Sequence, residues 1–142
     1  MGKRTNEIDS ELRQFIESQP IFFVATAPLA ADGRVNLSPK GLDTFRVLGP
    51  RQVAYLDLHG SGNETATHVA ENGRLTVMFC SFAGDPQIVR IYCAARPVAE
   101  DNDDWPSLRA HFPAHRGTRR IIVGDVDEVQ TSCGHMVPRI SG

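Results

Sequence analysis

Residues 53–73 read VAYLDLHGSGNETATHVAENG, a strand, a glycine turn and a helix in a single run. Val53–Leu58 has the apolar and aromatic content of a half-buried strand. His59-Gly-Ser-Gly62 breaks that pattern, because glycine tolerates backbone angles that other residues resist. Ser61-Gly-Asn-Glu64 has the form of a capping box, with Ser61 as N-cap and Glu64 folding back onto it. Ala66, Val69 and Ala70 follow at helical spacing, and Asn72-Gly73 is a stop signal. A turn feeding a helix N-terminus leaves backbone N–H groups directed at one point, which suits either an anion site or an ordinary capped helix.

Strand patterns surround this run. On the N-terminal side, residues 6–18 carry Ile8, Leu12, Phe15 and Ile16 on one helical face, and Pro20 closes that helix. Residues 21–27 (IFFVATA) read as a strand buried on both faces. Asp32-Gly33 turns it into Val35-Asn-Leu-Ser-Pro-Lys-Gly41, where alternation places Asn36 and Ser38 opposite Val35 and Leu37. Pro39 cannot donate to a ladder, so this strand ends there or lies at an edge, and Lys40 stands at its tip. Leu42–Leu48 extends the sheet before Gly49-Pro50 turns into the Val53 strand.

On the C-terminal side, residues 74–80 and 87–96 form a hairpin about the Ala83-Gly-Asp-Pro86 turn. Trp105, Leu108 and Phe112 make the apolar stripe of a short helix after a loop at 97–104. Residues 119–130 form a last long strand, with a bulge expected at Gly124-Asp125. The tail from Thr131 has little pattern. The tally is six or seven strands, mostly in consecutive hairpins, and three helices. Only the unit from the Val53 strand through the helix to the Arg74 strand reads as a candidate parallel crossover. The expected architecture is mainly β (α+β), one small barrel over about 20–130 with peripheral helices, in a single domain spanning 1–142.

Composition narrows the functions. With 41% hydrophobic and 23% charged residues the chain is ordinary globular material. A net charge of −2, without interleaved basic and aromatic residues, argues against a nucleic-acid partner. The basic cluster of Arg116, Arg119 and Arg120 reads as solvated surface. No apolar run approaches a membrane span, the first ten residues lack a signal core, and Asn6 stands where a myristoylation motif needs Ser or Thr. The three cysteines show no Cys-x-x-Cys spacing, and Cys133 with His135 is too few ligands for a metal site. A cytoplasmic, reducing setting is expected.

Side-chain-driven chemistry is hard to find. There is no phosphate-binding Gly-x-x-x-x-Gly-Lys loop, and Asn63 interrupts any Gly-x-Ser-x-Gly elbow around Ser61. His68 reads as a surface or interface residue, and His59, His111 and His115 have no ligand spacing. An enzyme of this sequence would draw its reactivity from a bound cofactor.

The order of these motifs resembles the pyridoxamine 5′-phosphate oxidase-like family over about residues 15–129. The residues that carry the resemblance are the first helix, 21–27, Asp32-Gly33, Val35-Asn-Leu-Ser-Pro-Lys-Gly, Ala54-Tyr-Leu-Asp-Leu, Gly-Ser-Gly-Asn-Glu-Thr-Ala, Glu71-Asn-Gly-Arg, 75–79 and 88–98. The resemblance implies an antiparallel split β-barrel, a homodimer with FMN at the subunit interface, and oxidoreductase chemistry on a small-molecule substrate. By position it places Asn36, Leu37, Ser38 and Lys40 along the flavin, Asp57 and Leu58 at a strand end lining it, and Asn63, Glu64 and Thr65 at its phosphate. Tyr55 and His68 fall near that site.

The sequence departs from the family pattern. Asn63-Glu64-Thr65 stands where tight FMN binders often have Ser-Arg-Lys, so a carboxylate replaces a cation beside a dianion. Ile88 replaces a glutamine that meets the flavin. The segment that brings arginine and histidine to the substrate phosphate of the vitamin B6 enzymes has no counterpart before Gly142, so pyridoxamine phosphate oxidation itself is not expected. A deazaflavin cofactor, or a barrel that carries a ligand without catalysis or has lost its cofactor, are the alternatives.

Overall fold

Eleven elements build the molecule, and a computed structural model describes them over residues 2–59 and 63–140. In chain order they are β1 (Lys3–Thr5), α1 (Ser10–Ser18), β2 (Phe22–Thr26), β3 (Asn36–Lys40), β4 (Phe45–Gly49), β5 (Gln52–Leu58), α2 (Glu64–Asn72), β6 (Arg74–Cys80), β7 (Ile88–Val98), α3 (Trp105–Arg109) and β8 (Thr118–Ser132). The strands form one eight-stranded sheet in the order β3-β2-β6-β7-β8-β5-β4, with β1 paired to β8. Every ladder is antiparallel. The β5–α2–β6 unit is therefore no parallel crossover: β5 pairs with β4 and β8, and β6 with β2 and β7.

The sheet curls until its two ends share a core. Phe22 of β2 stacks on Phe79 of β6 and meets Phe45 of β4 and Tyr55 of β5, with ring centroids 5.1–5.7 Å apart. Contacts at these spacings each add about 1 kcal/mol beyond area burial. Strand alternation sends Val53 and Tyr55 into this interior, and Ala54 and Leu56 to the outer face. There α3 covers them with Leu108, and the chain just after it with Phe112. Strand β5 is thus buried on both faces, not half-buried as its residues imply, because a helix distant in sequence lies over it. In β2 the reverse holds: Phe22, Val24 and Thr26 are buried, whereas Phe23 and Ala25 are only half-covered.

Local signals locate most element ends. Helix α1 starts later than its apolar pattern, because the Asp9 carboxylate accepts from the Leu12 N–H at 2.8 Å and caps it. Gly73 takes φ 74° and ends α2 as Asn72-Gly73 predicts, its N–H bonded to the Val69 carbonyl. The first turn of α2 corrects the expected capping box: Asn63 is the N-cap and Glu64 opens the helix, while Ser61 lies outside the described residues. Pro39 sits exposed in β3, an edge strand paired only with β2.

The bulge expected at Gly124-Asp125 lies elsewhere. Register shifts between Tyr92 and Cys93 of β7, where Asp127 is the extra residue of β8, and again between Asp57 and Leu58 of β5, where Arg119 is extra. Gly124 serves close packing instead, since a Cβ there would come within 2.9 Å of the Cys93 side chain.

Candidate functional site

The mouth of the barrel is made by the end of β3, the end of β5, the first turn of α2 and the start of β8. Alternation along β3 leaves Asn36, Ser38 and Lys40 half-buried on one side, with Leu37 and Pro39 exposed on the other. Asn36 crosses to α2, its Nδ2 donating to the Thr65 hydroxyl at 2.8 Å. The Thr26 hydroxyl lies 3.5 Å from the same amide and 2.9 Å from His68 Nδ1. His68 is thus a buried member of a polar chain and not a surface residue. Four hydrogen-bonding side chains here satisfy one another between β2, β3 and α2, as a buried polar group requires.

A second cluster centres on Asp57, which is buried at the end of β5. Arg119 approaches it at 3.2 Å and Arg120 at 2.7 Å. Successive strand residues normally point to opposite faces. The bulge at Arg119 breaks that rule locally, and both guanidiniums reach one carboxylate. These arginines are therefore not solvated surface as the sequence implies; they keep only 18% and 21% of their side-chain exposure. Arg120 also donates from Nη2 to Asn63 Oδ1 at 2.7 Å, tying β8 to the start of α2. Asn63 makes no side-chain bond to its own helix.

Lys40 joins the two clusters. Its ammonium lies 5.9 Å from the centroid of the Tyr55 ring, within cation–π range. Burial lowers its pKa, the Asp57 charge raises it, and Arg119 lowers it again. The Tyr55 hydroxyl makes no hydrogen bond of ordinary geometry to a described group, although Thr65 is near enough to ease its ionisation. Burial, then the Asp57 charge, pushes its pKa well above the usual phenol range. Lys40 also lines a groove of about 450 Å³ with Pro39, Leu42, Leu56 and Leu58. That volume is within the range of small-molecule sites.

Of the residues the sequence singles out, Asn36, Lys40, Asp57, Asn63 and Thr65 share this mouth, and Leu58 lines the groove beside it. Leu37 points to the exposed side of β3, and Glu64 is exposed on α2. Arg119 and Arg120 are the residues missed. Their signal was the apolar run Ile121–Val123 directly after them, which fixes β8 in the core and draws its first residues against β5.

Among the described residues no group of three or more His, Cys, Asp or Glu is placed to hold a metal. Nor, among the described residues, is any helix long and apolar enough to cross a membrane. The model of the family described as pyridoxamine 5′-phosphate oxidase matches residues 8–133. The pyridoxamine 5′-phosphate oxidase family protein ustO of Aspergillus flavus is 43% identical over 136 residues, covering 92% of this chain and 54% of that protein. The chain thus spans about half the length of that curated relative. Two solved structures share the fold. The FAD-binding protein from Mycobacterium smegmatis has a TM-score of 0.60 at 15% identity, covering 87% of this chain and 91% of that one. An FMN-binding protein from Syntrophomonas wolfei has a TM-score of 0.56 at 13% identity, covering 85% and 86%.

Proposed function

Because the chain belongs to the pyridoxamine 5′-phosphate oxidase family, we propose that it is an FMN-dependent oxidoreductase acting on a small organic molecule other than pyridoxamine phosphate. The observation that carries this reading is the bond from Asn36 to Thr65. It holds together, at one mouth, the two segments expected to flank the flavin ring and its phosphate. Flavin binding by fold relatives named for FMN and FAD supports the same assignment. The bound flavin supplies hydride or electron transfer at N5. The protein's part is to bind and orient: Asn36 and Ser38 present polar groups along β3, and Lys40, half-buried, brings positive charge toward the phosphate end.

The active unit in this reading is a homodimer with a cofactor at the subunit interface. Edge strand β3 and the residues flanking it expose Val35, Leu37 and Leu42 at 68–75%, an apolar strip suited to cover by a second subunit. Three free cysteines are in keeping with a reducing compartment, and the proposed location is the cytoplasm.

The test is the visible absorption of purified protein, followed by FMN titration and mass analysis of any extracted cofactor. Flavin bands or saturable FMN binding uphold the reading. A deazaflavin mass, or no saturation, overturns it.

A further inference from the structure

We propose that the groove beside the barrel mouth receives an apolar, uncharged part of the organic substrate. Leu42, presented by a strained turn, is the wall that sets how long that part can be. This deepens the reading above and rests on it for the reaction, though not for the groove itself.

The lining names the occupant. Pro20, Ile21, Pro39, Leu42, Leu56 and Leu58 give apolar walls to a space of about 450 Å³. Of the lining side chains only those of Lys40, Thr44 and His59 carry polar atoms, and the Thr44 hydroxyl is engaged by the Gly41 carbonyl at 2.7 Å. Mostly apolar walls with a few polar groups, at this volume, are the usual make-up of a small-molecule site. Lys40 belongs to the groove and to the mouth alike, so a molecule lying along these walls has the expected cofactor site beside it. Val35 and Leu37, which a second subunit would cover, do not line the groove.

Backbone strain singles out Leu42. Leu42 and Asp43 both hold left-handed backbone, φ 61° and 56°, in the turn from β3 to β4. A Cβ makes that region costly, more for leucine than for asparagine or aspartate. Core burial does not explain a leucine there, because Leu42 is 75% exposed. The neighbours impose the shape. Arg46 grips both Asp43 carboxylate oxygens at 2.7 and 3.2 Å, and is itself held by a 2.8 Å bond to the His111 carbonyl. Thr44 closes the turn on Gly41, where a Cβ would come within 2.8 Å of the Pro20 carbonyl oxygen. Strain of this kind persists where the surroundings over-determine it, and it gathers at ligand sites. What this turn delivers is one leucine side chain to the wall of the groove, with Arg46 as a positioning residue.

The experiment follows leucine methyl resonances while straight-chain alcohols, butanol to octanol, are titrated into the protein with and without FMN. Leu42, Leu56 and Leu58 should shift and Leu37 should not. Affinity should rise about fourfold per methylene until the groove is filled, then level off. Leu42→Ala should move that limit to longer alcohols and Leu42→Phe to shorter ones. Adding Arg46→Gln to Leu42→Ala should leave the limit where Leu42→Ala alone puts it. Leu42→Asn should weaken every alcohol while its urea midpoint holds or rises, since asparagine is at ease at positive φ. A fall in that midpoint with unchanged alcohol binding overturns the role of Leu42. Methyls that stay unshifted, as they would if a second subunit sealed the groove, overturn the site, and FMN binding in the same sample leaves the flavin reading standing. FMN that displaces the alcohols makes the groove the cofactor's own and also overturns it. Alcohols bound with the expected limit by protein that takes no FMN uphold the groove and end the flavin reading.

Discussion

Asn36 on β3 and Thr65 on α2 are 29 residues apart, and a 2.8 Å bond from amide to hydroxyl makes them one side of the barrel mouth. Asn36→Ala removes that bond and leaves the Thr65 hydroxyl half-satisfied. The expected loss is about 1 kcal/mol of unfolding free energy. FMN affinity should fall with it, because the edge of β3 is no longer held to α2. Urea unfolding and flavin titration of the same variant check both effects.

Asp57 has two guanidiniums to answer to. Asp57→Asn leaves Arg119 and Arg120 half-buried without their carboxylate, which should cost about 2–4 kcal/mol after allowance for their residual exposure. The drop is expected at pH 7 in urea, and a triple variant that also replaces Arg119 and Arg120 by Gln should lose less than the sum of its parts.

Gly124 is tested by adding one methyl group. The new Cβ meets the Cβ and Sγ of Cys93 at 2.9 Å and the Val53 side chain at 3.4 Å, in the middle of the sheet. Gly124→Ala should cost about 1–3 kcal/mol by overpacking, and adding Cys93→Ala should recover part of it by clearing Sγ. Thermal or urea midpoints of wild type and the two variants suffice.

The Cys93 thiol sets an alkaline limit. Burial, aided by Asp127 and Asp125, raises its pKa from 9.0 to about 12. Above pH 9 the unfolded thiol gives up its proton while the native one keeps it. The unfolded state then binds fewer protons, so stability falls as pH rises between 9 and 12. The slope from this one group approaches about 1.4 kcal/mol per pH unit. Tyr55 adds to the decline at higher pH, and Lys40, with its lowered pKa, opposes it. Unfolding curves across this range should be flatter for Cys93→Ala than for wild type.

Leu37 is 68% exposed on an edge strand. In the proposed dimer it is covered, so Leu37→Glu should give a folded monomer with weakened flavin binding. Sedimentation with and without FMN decides; a variant that stays dimeric overturns the proposed interface.

Most elements were legible because their signals are local. Asn72-Gly73 stops α2, Asp32-Gly33 joins β2 to β3, and Pro39 marks an edge. What escaped depends on partners distant in sequence. Strand β1 has three exposed residues and exists only because β8 runs long enough to pair with it. His68 looks polar and exposed until Thr26, 42 positions earlier, is laid beside it. Arg119 and Arg120 look like a surface cluster until the bulge turns both toward Asp57, 62 positions away from the first of them. Of the candidate site, the β3 and α2 halves could be found from sequence, whereas the β8 half is a product of register.

Strand β8, which follows the other seven strands along the chain, holds β5 on one side and β7 on the other. As the chain leaves the ribosome, β2, β3, β6 and β7 can associate early, while β4 and β5 must wait as an unattached hairpin with an open edge. Closure therefore comes late and joins residues far apart along the chain, the slow kind of folding step. Until then the hairpin that carries Tyr55 and Asp57 is a surface on which misassembly can start. The same strand that supplies the arginines thus also acts as the latch of the fold.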